Sequence, residues 1–207
     1  MRKKSIKWVL MSIFCLIGFA MVARRIMVLN GMPVAKPPFK FDPDAEFGIH
    51  QCITYIHIIA GALFVSLGPF QFIPQIRRSY LSYHRFAGWL FIAAAFVIGC
   101  SALALPFVIK LIGGFNEGAA TVFFGFIFLL YAFNAIRSVV KKDIDAHREW
   151  MIRTFILGLA VVTIRLINVL LFLFTRSSPQ VFFGTAFWLG FSIHLLVAEW
   201  YIRYSRK

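Results

Sequence analysis

An all-α integral membrane bundle of six transmembrane helices, with both termini in the cytoplasm, is the fold class that three observations predict. Hydrophobic residues make up 60% of the 207 positions and charged residues only 14%, against roughly 25% charged in an ordinary soluble domain. Six apolar stretches are each long enough to span, a helix needing about 20 mostly apolar residues. Lysine and arginine alternate in density between successive connectors, as the positive-inside bias requires. A soluble chain of this length has no single core large enough for so much apolar surface. The 25 phenylalanines suit helices that a bilayer lets be apolar all round. Six spans and short connectors consume nearly the whole chain, which leaves no room for a soluble catalytic domain.

In chain order the apolar stretches are 8–23, 50–73, 86–109, 119–136, 151–174 and 181–202, the first being the shortest. The connector 24–49 holds Pro33, Pro37, Pro38 and Pro43 and is not expected to be regular helix. Pro74, the Gly113–Gly114 pair and Pro179 punctuate later connectors. The chain therefore reads as one integral membrane domain over 1–207. Within it, 1–49 is an anchor helix and a proline-containing outer loop, 50–174 is a four-helix core, and 175–207 is the last helix with a basic tail. Arg2, Lys3 and Lys4 ahead of an apolar run also describe a secretory signal peptide. Cleavage after Ala23 needs a small residue at position 21, where Met21 stands, so an uncleaved anchor is expected.

With the N-terminus inside, fifteen lysines and arginines fall on the inner side and six on the outer side, with Arg165 left inside a span. The formal charge of +14 is thus a topology signal and not a nucleic-acid footprint. Cys15, Cys52 and Cys100 form no CxxC pair and no metal-ligand spacing, and they fix no redox compartment. No Ser-His-Asp constellation, phosphate-cradling glycine loop or zinc motif is present.

Polar groups inside a bilayer are costly, so each is a functional candidate. His57 lies about two turns into the second span, with His50 seven residues earlier on the same face. Gly61 and Gly68 extend that face. A histidine above a glycine groove admits a flat cofactor, and the same small residues equally serve close helix packing. Arg165 lies fifteen residues beyond Trp150, roughly 22 Å up a helix rising 1.5 Å per residue. In a ~30 Å hydrocarbon layer this is about 8 Å below the outer surface. None of the eight acidic residues is expected mid-span beside it. Its guanidinium must then meet backbone carbonyls, Asn168, water, lipid phosphate or the acid of a bound cofactor, or snorkel to the outer headgroups.

On the inner side two spans open alike, His84-Arg85-Phe86-Ala87-Gly88-Trp89 and His147-Arg148-Glu149-Trp150-Met151-Ile152-Arg153. Each histidine is at a helix N-terminus, where the dipole disfavours the imidazolium, and neutral imidazole is the metal-ligating form. Two such groups at one depth can be trans axial ligands of one haem iron. The same elements can instead hold a lipid phosphate on free N–H groups and arginines. His194 matches neither layer and reads as a hydrogen-bonding group between helices. Glu199, Trp200, Tyr201 and Arg203 read as an interfacial belt.

The run from Ile56-His57-Ile58-Ile59-Ala60-Gly61 through Leu67-Gly68-Pro69-Phe70-Gln71-Phe72 resembles a family of uncharacterised bacterial inner-membrane proteins. Tyr83-His84-Arg85 with Gly88, and Asp145-Ala146-His147-Arg148 with Trp150-Met151-Ile152-Arg153, fit the same pattern, and Arg165-Leu166 looks like that family's arginine late in the following helix. The resemblance covers roughly 50–170 and implies a multi-pass protein of the cell inner membrane. The family's histidine-on-helix layout is distantly similar to the cytochrome b561-like two-haem membrane proteins, which implies b-type haem and transmembrane electron transfer. One departure stands out. His57 has no histidine partner at its own depth, so an inner haem between His84 and His147 is geometrically easier than an outer one.

Three readings follow. The first is a haem-b electron carrier coupled to quinone or another membrane redox partner. His84 and His147 would be axial ligands, His57 a second-site ligand or proton-linked group, and Arg165 a partner for propionate or quinone oxygen. The second is a non-enzymatic accessory, lipid-binding scaffold or stress-related membrane protein, in which the histidines sit at headgroup level and point apart. The third is a small transporter, which calls for paired broken helices around a midplane site; no inverted repeat is evident.

Overall fold

The computed structural model describes residues 2–34 and 45–206. Pro37, Pro38, Pro43, Asp42 and Asp44 of the first connector lie outside the described residues. Among the described residues every regular element is a helix: α1 (Arg2–Leu29), α2 (Ala45–Ile49), α3 (Gln51–Gln71), α4 (Pro74–Ser79), α5 (Leu81–Val108), α6 (Gly114–Val140), α7 (Ile144–Gly158), α8 (Ala160–Thr175) and α9 (Pro179–Ser205). Six segments are long and apolar enough to cross a membrane, α7 and α8 together forming the fifth, Ile144–Thr175. This bears out the six-span reading. The ends that carry Arg77, Arg78, Arg137 and Arg206 are called the basic end below, and the opposite side, with the first connector, the loop end.

Two boundaries differ from expectation, for physical reasons. α1 runs past position 23 through Arg24 and Arg25 to Leu29. Long side chains can leave the apolar zone while the backbone stays helical, and the Arg25 guanidinium lies 3.9 Å from the centroid of the Phe47 ring. Phe47 belongs to α2, a short helix inside the connector expected to be irregular.

α5 packs on α3 and α6, and α6 also contacts α7 and α9. α9 joins α8, and α1 lies on α3 with a lesser contact to α8. Lipid tails are as apolar as leucine, so close packing rather than hydrophobic transfer holds such a bundle together. Its centre is aromatic. Phe64 stacks on Phe91 at 4.5 Å between centroids and meets Phe128 and Phe155 at 5.8 Å each. Two glycines make this possible. A Cβ on Gly68 would collide with the Phe155 ring, and one on Gly158 would lie 2.5 Å from Phe64 Cε1. Gly68 is therefore a packing position filled by Phe155 and not a groove for a flat cofactor, while Gly61 meets nothing within 4 Å.

The fifth span is broken at Leu159. The Leu159 N–H donates to both Phe155 and Ile156 carbonyls at 3.2 Å, and Val162 N–H reaches back only three residues, to Leu159 O at 3.1 Å. The Ile156 carbonyl also accepts from His194 Nδ1 at 2.6 Å. A side chain inserted into the i→i−4 ladder is a recognised cause of such breaks.

Candidate functional site at the basic end

His84 and His147 occupy the same register, each the fourth residue of its helix, α5 and α7. Asp143 caps α7, its side chain accepting from Ala146 N–H at 3.0 Å, which fixes where that helix starts. Tyr80 precedes α5, with no side-chain cap. The His147 Nδ1 lies 2.8 Å from the Ala135 carbonyl on α6. A carbonyl only accepts, so Nδ1 carries a proton, and Nε2 is the ring atom left to bind anything else. Metal-binding histidines are oriented by this kind of bond.

His84 is the opposite case. Its Nδ1 is buried and has no hydrogen-bond partner. Arg77, His147 and Arg85 are the charged or titratable groups acting on it, so the two sequence-predicted histidines do lie within electrostatic reach of one another. Gln71, the last residue of α3, is a second buried group there whose Nε2 is unpartnered. Nothing in its residue type marked it beforehand; only the packing of α3 on α5 brings it inside.

An ionic network borders this end. Arg153 donates to both Glu199 oxygens, at 2.6 and 3.1 Å, and lies 3.6 Å from Glu149. Glu149 in turn accepts two bonds from Arg206, at 2.6 and 2.7 Å. The Arg153 guanidinium is also 4.5 Å from the Trp150 ring centroid. Glu199 is thus a bidentate partner between α7 and α9, and the four-residue spacing of Glu149 and Arg153 was the available signal.

The other candidates lie elsewhere. His57 Nδ1 is 2.8 Å from Ser101 Oγ on α5, and that hydroxyl is 2.6 Å from its own i−4 acceptor, Val97 O. Seventeen residues separate Ser101 from His84, roughly 25 Å of helix at 1.5 Å per residue, so His57 does not join the basic-end pair. His194 is buried, with Thr163 Oγ1 2.8 Å from Nε2 and Ile156 O 2.6 Å from Nδ1. Both ring nitrogens are engaged, one on each side of the Leu159 break.

Arg165 requires a correction. Glu117, one of the eight acids not expected beside Arg165, is buried in the first turn of α6, and its carboxylate accepts from Gly113 N–H at 2.8 Å. Arg165 is among the charges acting on it, and its guanidinium lies 5.2 Å from the Phe183 centroid. With a protein carboxylate in reach, the charge argument for a cofactor acid beside Arg165 falls away. Asn168 Oδ1, one turn on, is a buried acceptor with no partner; under-satisfied acceptors of this kind are commoner than orphaned donors.

Among the described residues no group of three or more His, Cys, Asp or Glu is placed to hold a metal ion. No curated protein and no solved structure matches the chain, so the likeness to cytochrome b561-like proteins gains no support. A family model described as "Predicted membrane protein (DUF2306)" matches residues 54–202, which takes in five spans and leaves out α1. The chain belongs to that membrane protein family.

Proposed function

We propose that this integral membrane protein binds a b-type haem at its basic end, with His84 and His147 as the two imidazole ligands, and serves in membrane electron transfer. One observation carries the reading: an imidazole oriented by the Ala135 carbonyl through Nδ1, which leaves Nε2 as its ligating atom, within electrostatic reach of a second imidazole whose Nδ1 is buried and unpartnered. That donor chemistry fits a bis-histidine iron site. Bound there, haem supplies one-electron chemistry. The chain's own contribution is orientation and exclusion of water. Ala135 fixes the His147 tautomer, and the buried Ala87, Met151 and Phe155 line the helices next to the histidines. The charge asymmetry supports placing the basic end, with both termini, in the cytoplasm of a cell whose inner membrane holds the protein.

The second reading is a non-enzymatic accessory or lipid-binding protein. Exposed Arg77 and Arg78 in the last turn of α4, just ahead of α5, and exposed Arg85 and Arg148 near the starts of α5 and α7 favour it, since arginines beside helix N-termini suit a lipid phosphate. Transport has less support: among the described residues one span is broken, at Leu159, and a midplane site calls for a pair.

The test is a reduced-minus-oxidised optical spectrum of detergent-purified protein from haem-replete cells, with His84→Ala and His147→Ala alongside. A b-type difference band that both variants lose is the expected result. A featureless spectrum overturns the haem reading and leaves the lipid-binding one.

A further inference from the structure

Two unpartnered buried atoms, Gln71 Nε2 and His84 Nδ1, stand on the adjoining helices α3 and α5 at the basic end. Gln71 is 8% exposed, and its amide lies over Gly88: a Cβ there would come 3.2 Å from Gln71 Oε1. Gly88 is one turn beyond His84, so amide and imidazole lie along one strip of α5. An amide N–H cannot relieve its burial by losing its proton; it needs an acceptor. Buried donors left without one are rare in native structures. The aromatic centre begins beside the end of α3. Phe72 follows Gln71, its ring 5.4 Å from that of Phe155, and Phe155 lies 6.2 Å from Phe91.

The chemistry of the missing acceptor follows from these neighbours. A phosphate or carboxylate would have to carry its charge out of water to reach a neutral amide, when exposed Arg77, Arg78 and Arg85 offer it contacts at the surface. A neutral carbonyl oxygen accepts from the amide, and from His84 in its Nδ1–H tautomer, without that cost, and a flat ring suits the aromatic side chains nearby. We propose that Gln71 and His84 form the headgroup site of a quinone-class ligand, planar, membrane-soluble and bearing carbonyl oxygens, beneath α4, which packs against α5. This deepens the electron-transfer reading by naming the partner's chemistry. It rests on that reading for the use made of the ligand, not for its binding.

The experiment uses the full chain in detergent, prepared free of haem, titrated with a decyl-tailed benzoquinone and followed by tryptophan fluorescence, Trp89 being adjacent to Gly88. Saturable quenching is expected. Gln71→Leu weakens it about tenfold, as loss of one hydrogen bond does. Gly88→Ala, which leaves both donors in place but crowds the amide, weakens it too and carries the test if Gln71→Leu does not fold. Equal affinity in the folded variants overturns the proposal, and so does displacement of the quinone by added anionic phospholipid. A featureless haem spectrum with Gln71-dependent quinone binding removes the haem reading alone. A haem band with Gln71-independent binding removes the quinone site alone.

Discussion

His194 and His84 are both imidazoles at helix interfaces of one bundle, and their surroundings differ in kind. His194 has Ile156 O on Nδ1 and Thr163 Oγ1 on Nε2, and it takes over a carbonyl at the point where the fifth span breaks. His84 presents a buried Nδ1 to nothing, and Gln71 does the same one helix away. An unsatisfied buried polar atom costs about 1–3 kcal/mol, which no packing need requires of His84. The first histidine is explained by the fold. The second is accounted for by the proposed ligand.

Substitutions can break or sharpen this contrast. The largest effect is expected at the aromatic centre. Gly68→Leu drives a side chain into Phe155 and should destabilise by about 3 kcal/mol, read from denaturant unfolding in mixed micelles; a neutral result would mean the Phe155 packing is not fixed. His194→Leu removes both bonds at the break and should lose about 2 kcal/mol, with faster hydrogen exchange at Leu159 and Ala160. Unchanged exchange there would contradict the bracing role. In the bordering network, a double-mutant cycle of Arg153→Ala and Glu199→Ala should give a coupling of about 1 kcal/mol, small because Glu199 is 40% exposed at its side chain. The smallest change carries the opposite sign. Gln71→Leu in the ligand-free protein should leave stability unchanged or raise it by up to about 1 kcal/mol. A loss as large as that of His194→Leu would erase the distinction between the two regions.

The six spans were legible because a run of apolar residues near the length of the bilayer core leaves few alternatives. The shared opening of α5 and α7 was legible as well, down to the same helical register for His84 and His147. The rest depended on contacts between distant segments. Glu117 and Arg165 are 48 positions apart, and the acid sat where a connector was expected, so only the packed bundle shows that they interact. Leu159 carries no proline to announce a break; the side chain bonded there is His194, from another helix. The His147 tautomer is set by the Ala135 carbonyl, a backbone group that residue type does not reveal. Gln71 lay in plain view at the end of a span, and its burial came from Gly88, whose missing side chain makes the room.

The most direct measurement is native mass spectrometry of the full chain released from membrane vesicles, for the wild type beside His84→Leu. The account predicts a small-molecule adduct on the wild type that the variant lacks. Bare protein mass in both, or an adduct retained without His84, would contradict a ligand site at the basic end.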